Sequence, residues 1–247
     1  MKMVEINPEG SRTALLVHPM LADSEIVQEL IASRLGDDYR IFVPDLAGHG
    51  NSREYPFTAI AREADEIHTY LQGKLVFHLD FVWGASIGAG VALAYMRYVD
   101  ASFTTLVLDG TPFFKAPRFV TNMIVKKMIG KHRKAIADPE STERKMIELY
   151  GECGRDMARE LIEIDEESLR YVIGSSAEMR YPYLNEEQQE NTHFIFGEMD
   201  CNLKNARKRI PDIYPGSEIK VLPGYSHCEM IGKEPDRYVE LIKSFIK

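Results

Sequence analysis

Three side chains, far apart in the chain, carry the residue types of a nucleophilic relay. Ser86 stands in Gly84-Ala85-Ser86-Ile87-Gly88, Asp200 in Phe196-Gly197-Glu198-Met199-Asp200, and His227 in Pro223-Gly224-Tyr225-Ser226-His227. A serine hydroxyl is a poor nucleophile at neutral pH and needs an adjacent general base. An imidazole base in turn needs a carboxylate that fixes its tautomer and stabilises the imidazolium. The chain has seven histidines; His68 falls in a helical pattern, His78 before a strand and His132 in a basic run, whereas His227 follows the last strand in a polar loop. Asp109 ends the strand before that of Asp200 and competes with it for the acid role; Glu198 is a weaker rival. The pentapeptide alone reads equally well as a glycine-rich turn that contains a serine by chance.

The elements that must position these groups are legible around them. Leu79 to Val99 reads as an apolar strand, an abrupt turn and a helix. A serine at such a tip is held in strained backbone with its hydroxyl exposed. Gly84 and Gly88 are expected where strand and helix pass too close for a Cβ. The helix start aims free N–H groups at the space above Ser86, which suits an oxyanion. Thr13–Val17, Ile41–Val43, Thr104–Leu108, His193–Phe196 and Ile219–Leu222 read as further buried strands. Helices are expected over Glu25–Leu35, capped by Asp23 or Ser24, from a Thr58 cap to Leu71, and over Pro235–Ile246. Continuous apolar strands alternating with helices predict an α/β fold: a mostly parallel central sheet with helices on both faces. The loops holding His18, Ser86, Asp109, Asp200 and His227 would all leave one edge of it, where such sheets build their sites. From Pro112 to Asn191 the pattern is helical throughout. Residues 1–111 and 192–247 are thus expected to form the core domain, with 112–191 an inserted helical cap.

Composition bounds the function. The 247 residues suffice for one sizeable domain with an insertion, and 45% hydrophobic with 28% charged content is that of an ordinary globular chain. A net charge of -8 argues against nucleic acid as a partner. Cys153, Cys201 and Cys228 lack framework spacing and fit free thiols in a reducing compartment. Neither a signal peptide nor a run of about 20 apolar residues is visible, so a cytoplasmic location is expected and membrane contact is not; an oligomer is compatible with the sequence.

Four stretches together resemble the α/β-hydrolase superfamily, of the capped, carboxylesterase-like type: His18-Pro19-Met20, Pro44 to Ser52 (PDLAGHGNS), Gly84 to Gly88, and the segments around Asp200 and His227. The resemblance covers nearly the whole chain. It implies a catalytic triad of Ser86, Asp200 and His227, and an oxyanion hole made by the backbone N–H groups of Met20 and Ile87. His18, Asp45, His49 and Ser52 are implied to brace a loop. Two departures stand out: His-Pro in the first loop where His-Gly is usual, and Ala85 beside the nucleophile where histidine or tryptophan is frequent. A serine nucleophile argues against the epoxide-hydrolase and dehalogenase branches. The implied activity is that of a carboxylesterase or thioesterase on a small to medium acyl ester, through an acyl-enzyme and without metal or organic cofactor. Carbon–carbon bond hydrolysis or a lyase reaction on the same triad, and a non-catalytic ligand-binding role, are the alternatives.

Within the insertion, Phe119, Val120, Met123, Ile124 and Met128 share a helical face expected to lie on the site or the cap core. Phe113, Phe114 and Met123 are the expected substrate-binding residues, with Tyr181 and Tyr183 near the junctions. Residues 115–134 carry seven Lys or Arg and no acid, which reads either as a solvated face or as an attraction for an anionic substrate or a membrane surface. Cys201 and Cys228 each follow a triad position and read as two small buried side chains rather than a redox pair.

Overall fold

The computed structural model describes residues 1–113 and 117–247. Seven strands, β1 (Lys2–Ile6), β2 (Arg12–Val17), β3 (Tyr39–Asp45), β4 (His78–Ala85), β5 (Ser102–Asp109), β6 (Thr192–Gly197) and β7 (Glu218–Leu222), form one sheet in the order β1-β3-β2-β4-β5-β6-β7. Every pairing is parallel except that of the edge strand β1 with β3. That edge strand is missing from the sequence reading, because a short run of mixed burial beside a turn carries little periodic signal.

Side chains alternate along each strand, so neighbouring residues serve opposite faces. Leu15, Val82, Leu106 and Phe194 face one layer, built with α3 (Ile60–Gly73) and α4 (Ile87–Tyr95). Leu16, Phe81, Trp83 and Val107 face the other. Both sets are buried, which is why the strands read as unbroken apolar runs. The second layer is closed by a helical stretch, α1 (Ser24–Val27), a π-turn at Gln28–Ala32 and α2 (Ser33–Leu35), and by the last helices α11 (Glu229–Lys233) and α12 (Pro235–Lys243). Asp23 caps the first of these, its carboxylate accepting from the Ile26 N–H at 2.9 Å. The expected Thr58 cap does not form: Ala59 occupies the N-cap of α3, with no side-chain bond.

Between β5 and β6 the chain is helical: α5 (Arg118–Ala137), α6 (Pro139–Tyr150), α7 (Gly154–Glu163), α8 (Glu166–Ala177) and the short α9 (Glu186–Glu190); α10 (Leu203–Ile213) follows β6. These inserted helices share a cluster around Val125, Ile129, Leu161, Leu169 and Ile173, which Leu21 of the loop after β2 joins from the core. Polar ties join them to the segment after β3. The Phe57 N–H donates to Ser168 Oγ at 2.9 Å, and Arg53 pairs with Glu160 and, at 2.8 Å, with Glu163. Of the expected face of α5, Met128 packs on the inserted cluster and lines the cavity, but most of the rest faces outward. Val125, Ile129, His132 and Ala135 are buried, while Phe119 and Met123 are each 67% exposed and Ile124 41%. The sequence of α5 carries two apolar stripes, and contact with α7 and α8 selects the second. Among the described residues no helix is long and apolar enough to cross a membrane.

Candidate active site

The parallel register brings the ends of the central strands level: Val17 lies beside Gly84, Ala85 beside Asp109, and Asp109 beside Ile195. Ser86 follows at the tip of β4 with φ 51° and ψ −117°, a backbone region that L-residues avoid. Close packing enforces the turn. A Cβ at Gly84 would lie 2.6 Å from the Gly88 carbonyl oxygen, and one at Gly88 would lie 2.3 Å from that of His18.

The three separated side chains meet there. Ser86 Oγ–H donates to His227 Nε2 at 2.9 Å, and His227 Nδ1–H donates to Asp200 Oδ2 at 2.8 Å. The other oxygen of Asp200 accepts the Asn202 N–H at 2.8 Å, and the Asn202 side-chain amide donates to the Gly110 carbonyl at 3.2 Å. The loops bearing Asp200 and His227 are held together by the Met199 N–H on the Tyr225 carbonyl, 2.9 Å, and by the Gly224 N–H on Glu198, 3.0 Å. Glu198 therefore braces a loop and does not face the imidazole. Burial opposes protonation of His227, but the hydrogen bond and charge of Asp200, with the charge of Asp109, outweigh it and raise its pKa above the ordinary histidine value.

Asp109, the competing acid, is buried behind this line. Burial pushes its carboxyl up to about 7, against the hydrogen bond from Tyr238. The Cys228 thiol lies 3.9 Å from its Oδ1, and Tyr238 also receives the Trp83 indole N–H at 3.0 Å. Cys228, at φ 54°, starts α11 just after His227; all three cysteines are free, and Cys201 is exposed.

Among the described residues neither the Met20 nor the Ile87 N–H has an intramolecular acceptor. The Met20 loop is pinned by His18, whose Nδ1–H donates to the Pro19 carbonyl at 2.8 Å while Nε2 accepts the Leu46 N–H at 2.9 Å. Burial holds this histidine neutral by lowering its pKa. Asp45 accepts from the Ser24 N–H at 2.7 Å and the Asn51 N–H at 3.0 Å, and Ser52 accepts from the Lys2 N–H at 2.7 Å. His49 Nδ1–H donates to the Ala47 carbonyl at 3.1 Å. These residues brace loops.

Ser86 and His227 open onto an apolar cavity of about 290 Å³. Ile26, Leu30, Ile31 and Trp83 line it from the core, and Met128, Met146, Met157 and Leu161 from the inserted helices. A larger depression of about 820 Å³ against α3 and α8 contains no member of the Ser86 line, so chemistry and not size selects the site. Of the expected substrate contacts, Phe113 is fully buried, stacked on Tyr181 at 5.0 Å and edge-on to Phe194 at 5.3 Å. Met123 faces solvent, and Phe114 lies outside the described residues. Sequence reasoning missed Gly110, Asn202 and the Trp83–Tyr238 contact. The Asp-Gly pair at 109–110 is the one signal that pointed there, as a turn at a strand end.

The sequence matches the α/β-hydrolase family over residues 14–241. The chain belongs to that family. A search of curated proteins finds no match. Solved structures share the hydrolase fold at low identity. An α/β-hydrolase family protein from Desulfitobacterium hafniense is 18% identical with a TM-score of 0.73, 100% of each chain being covered. A thermophilic esterase from Thermogutta terrifontis is also 18% identical at 0.73, over 99% of this chain and 98% of that one. MenH from S. aureus is 17% identical at 0.70, over 99% and 96%. Identities this low establish the fold, and the activity has to be argued from the site.

Proposed function

We propose that this α/β-hydrolase is a serine carboxylesterase or thioesterase whose substrates are small to medium acyl esters. The observation that carries the reading is the unbroken line Ser86 Oγ, His227, Asp200, with contacts of 2.9 and 2.8 Å. In this reading His227 Nε2 takes the Ser86 proton as Oγ attacks the carbonyl carbon. The tetrahedral oxyanion is held by the N–H groups of Met20 and Ile87, donors typically worth a few kcal/mol each. The imidazolium then returns the proton to the leaving oxygen or sulfur. Water, deprotonated by the same histidine, releases the acid and restores the serine. Asp200 stays ionised throughout and orients the ring. No cofactor enters any step. Residues 112–191 act as a cap that roofs the acyl cavity and keeps bulk water from the oxyanion.

A fluorophosphonate probe tests the reading. The intact protein is expected to label and to hydrolyse p-nitrophenyl esters, with both properties lost in Ser86→Ala and weakened in His227→Ala. An intact protein that does not label rejects it.

A further inference from the structure

Among the described residues the wall of the reactive cavity is apolar apart from Ser86, His227, the Tyr150 hydroxyl, two thiols and one cation, Lys131. Lys131 lies on α5 one turn after Met128; both line the cavity, and Lys131 is also exposed, so this part of the wall borders solvent. Among the described residues Lys126, Lys127, Lys131 and Lys134 are in no ion pair, whereas Arg133 on the same helix is paired with Glu166 at 2.6 Å. In a chain of net charge -8, this is a run of unpaired positive charge beside an apolar chamber. The basic stretch is therefore not uniform: among its described lysines only Lys131 reaches the cavity wall.

We propose that Lys131 recognises an anionic group on the alcohol side of the ester, making the substrate class acyl esters with an apolar acyl chain and a negatively charged leaving group. This rests on the hydrolase reading above. The apolar chain is the part that gains by entering the chamber, and a charge carried inward would go unsolvated. With the carbonyl at Ser86, the acyl chain lies inward and the leaving group toward the mouth, where it departs first. In the transfer, the bond from Ser86 Oγ to the acyl carbon forms first, the carbon–oxygen bond to the alcohol breaks as the tetrahedral intermediate collapses, and the serine proton passes through His227 to the departing oxygen. The carboxylate or phosphate on that alcohol is spectator charge, paired with the ammonium in both substrate and transition state. Its effect therefore falls on KM rather than kcat.

A matched pair of esters tests this: para-octanoyloxybenzoate and its methyl ester, identical except for one carboxylate, each followed by release of the phenol. The wild type is expected to favour the anion in kcat/KM. That preference should drop about tenfold in Lys131→Ala, further in Lys131→Glu, and return in Lys131→Arg, mostly through KM. Lys126→Glu, on the solvent side of α5, should shift it by no more than about twofold at physiological salt. A preference unchanged in Lys131→Ala, or lowered as much by Lys126→Glu, overturns the proposal. Loss of phenol release from both esters in the wild type sinks the hydrolase reading instead, and the two failures look different. Unchanged melting temperatures across the set exclude unfolding as the cause.

Discussion

The backbone N–H of Ser86 donates to the carbonyl oxygen of Asp109 at 2.7 Å. This bond extends the β4–β5 ladder beyond its last register pair, Ala85 with Asp109, and so pins the nucleophile in its strained conformation, a cost of order 1–3 kcal/mol that the surrounding sheet must bear. Asp109 thus adjoins the site through its main chain, which holds Ser86, while its side chain turns toward Tyr238.

Asp200 and Asp109 are expected to separate cleanly in kinetics. Asp200→Asn should lower kcat on the order of ten-thousand-fold, since the imidazole loses its orienting anion. Asp109→Asn should cost less than about tenfold. Steady-state kcat with a p-nitrophenyl ester measures both, and equal losses would transfer the acid role.

The pH profile follows from His227. The base works unprotonated, so kcat/KM should fall as pH drops through its pKa, with a midpoint above the usual histidine value of 6.5 because of Asp200. NMR titration of the His227 ring in Asp200→Asn should show that midpoint moving down. A midpoint that stays put would mean Asp200 does not set it.

Asp109 makes a prediction about stability. Its carboxyl titrates near 3.8 unfolded and at about 7 folded, so between these values the folded chain keeps a proton the unfolded chain has lost. Stability from this group is therefore present at low pH and declines as pH rises through that window. Asp109→Asn, neutral throughout, should gain on the wild type in urea midpoint between pH 5 and pH 8. A constant difference would show that the carboxyl is ionised in the folded state at all these pH values.

Gly110 has φ 63°, and a Cβ there would lie 2.5 Å from His227 Cε1. Gly110→Ala should displace the imidazole and lower kcat on the order of a hundredfold, with far-UV circular dichroism unchanged. Full activity in the variant would mean that the base loop moves without consequence.

Ser168 joins the inserted helices to the core. Ser168→Ala leaves the buried Phe57 N–H without its acceptor and should destabilise by about 1–3 kcal/mol in urea unfolding. A variant as stable as the wild type would mean that water replaces the hydroxyl.

The core strands, their parallel order and the rim residues were readable because each rests on local signals: unbroken apolar runs, turn glycines, and polar loops directly after strands. Ser86, Asp200 and His227 could be chosen because loop position and chain order agree for all three. What could not be read depends on distances between segments remote in sequence. Which stripe of α5 packs is decided by α7 and α8, so Phe119 and Met123, apolar and correctly spaced, face outward. Phe113 is aromatic and next to the insertion, yet Tyr181 and Phe194 claim it for the core. Gly110 and Asn202 act through what they touch, which composition does not reveal.

Trp83 and Tyr238 are 155 residues apart and joined at 3.0 Å. During synthesis the part of that sheet face around Trp83 therefore stays open until α12 has been made, while the helical stretch after β2 is available to cover the rest. Throughout that interval the nascent polypeptide displays an apolar patch, and any delay in making α12 lengthens its exposure to self-association.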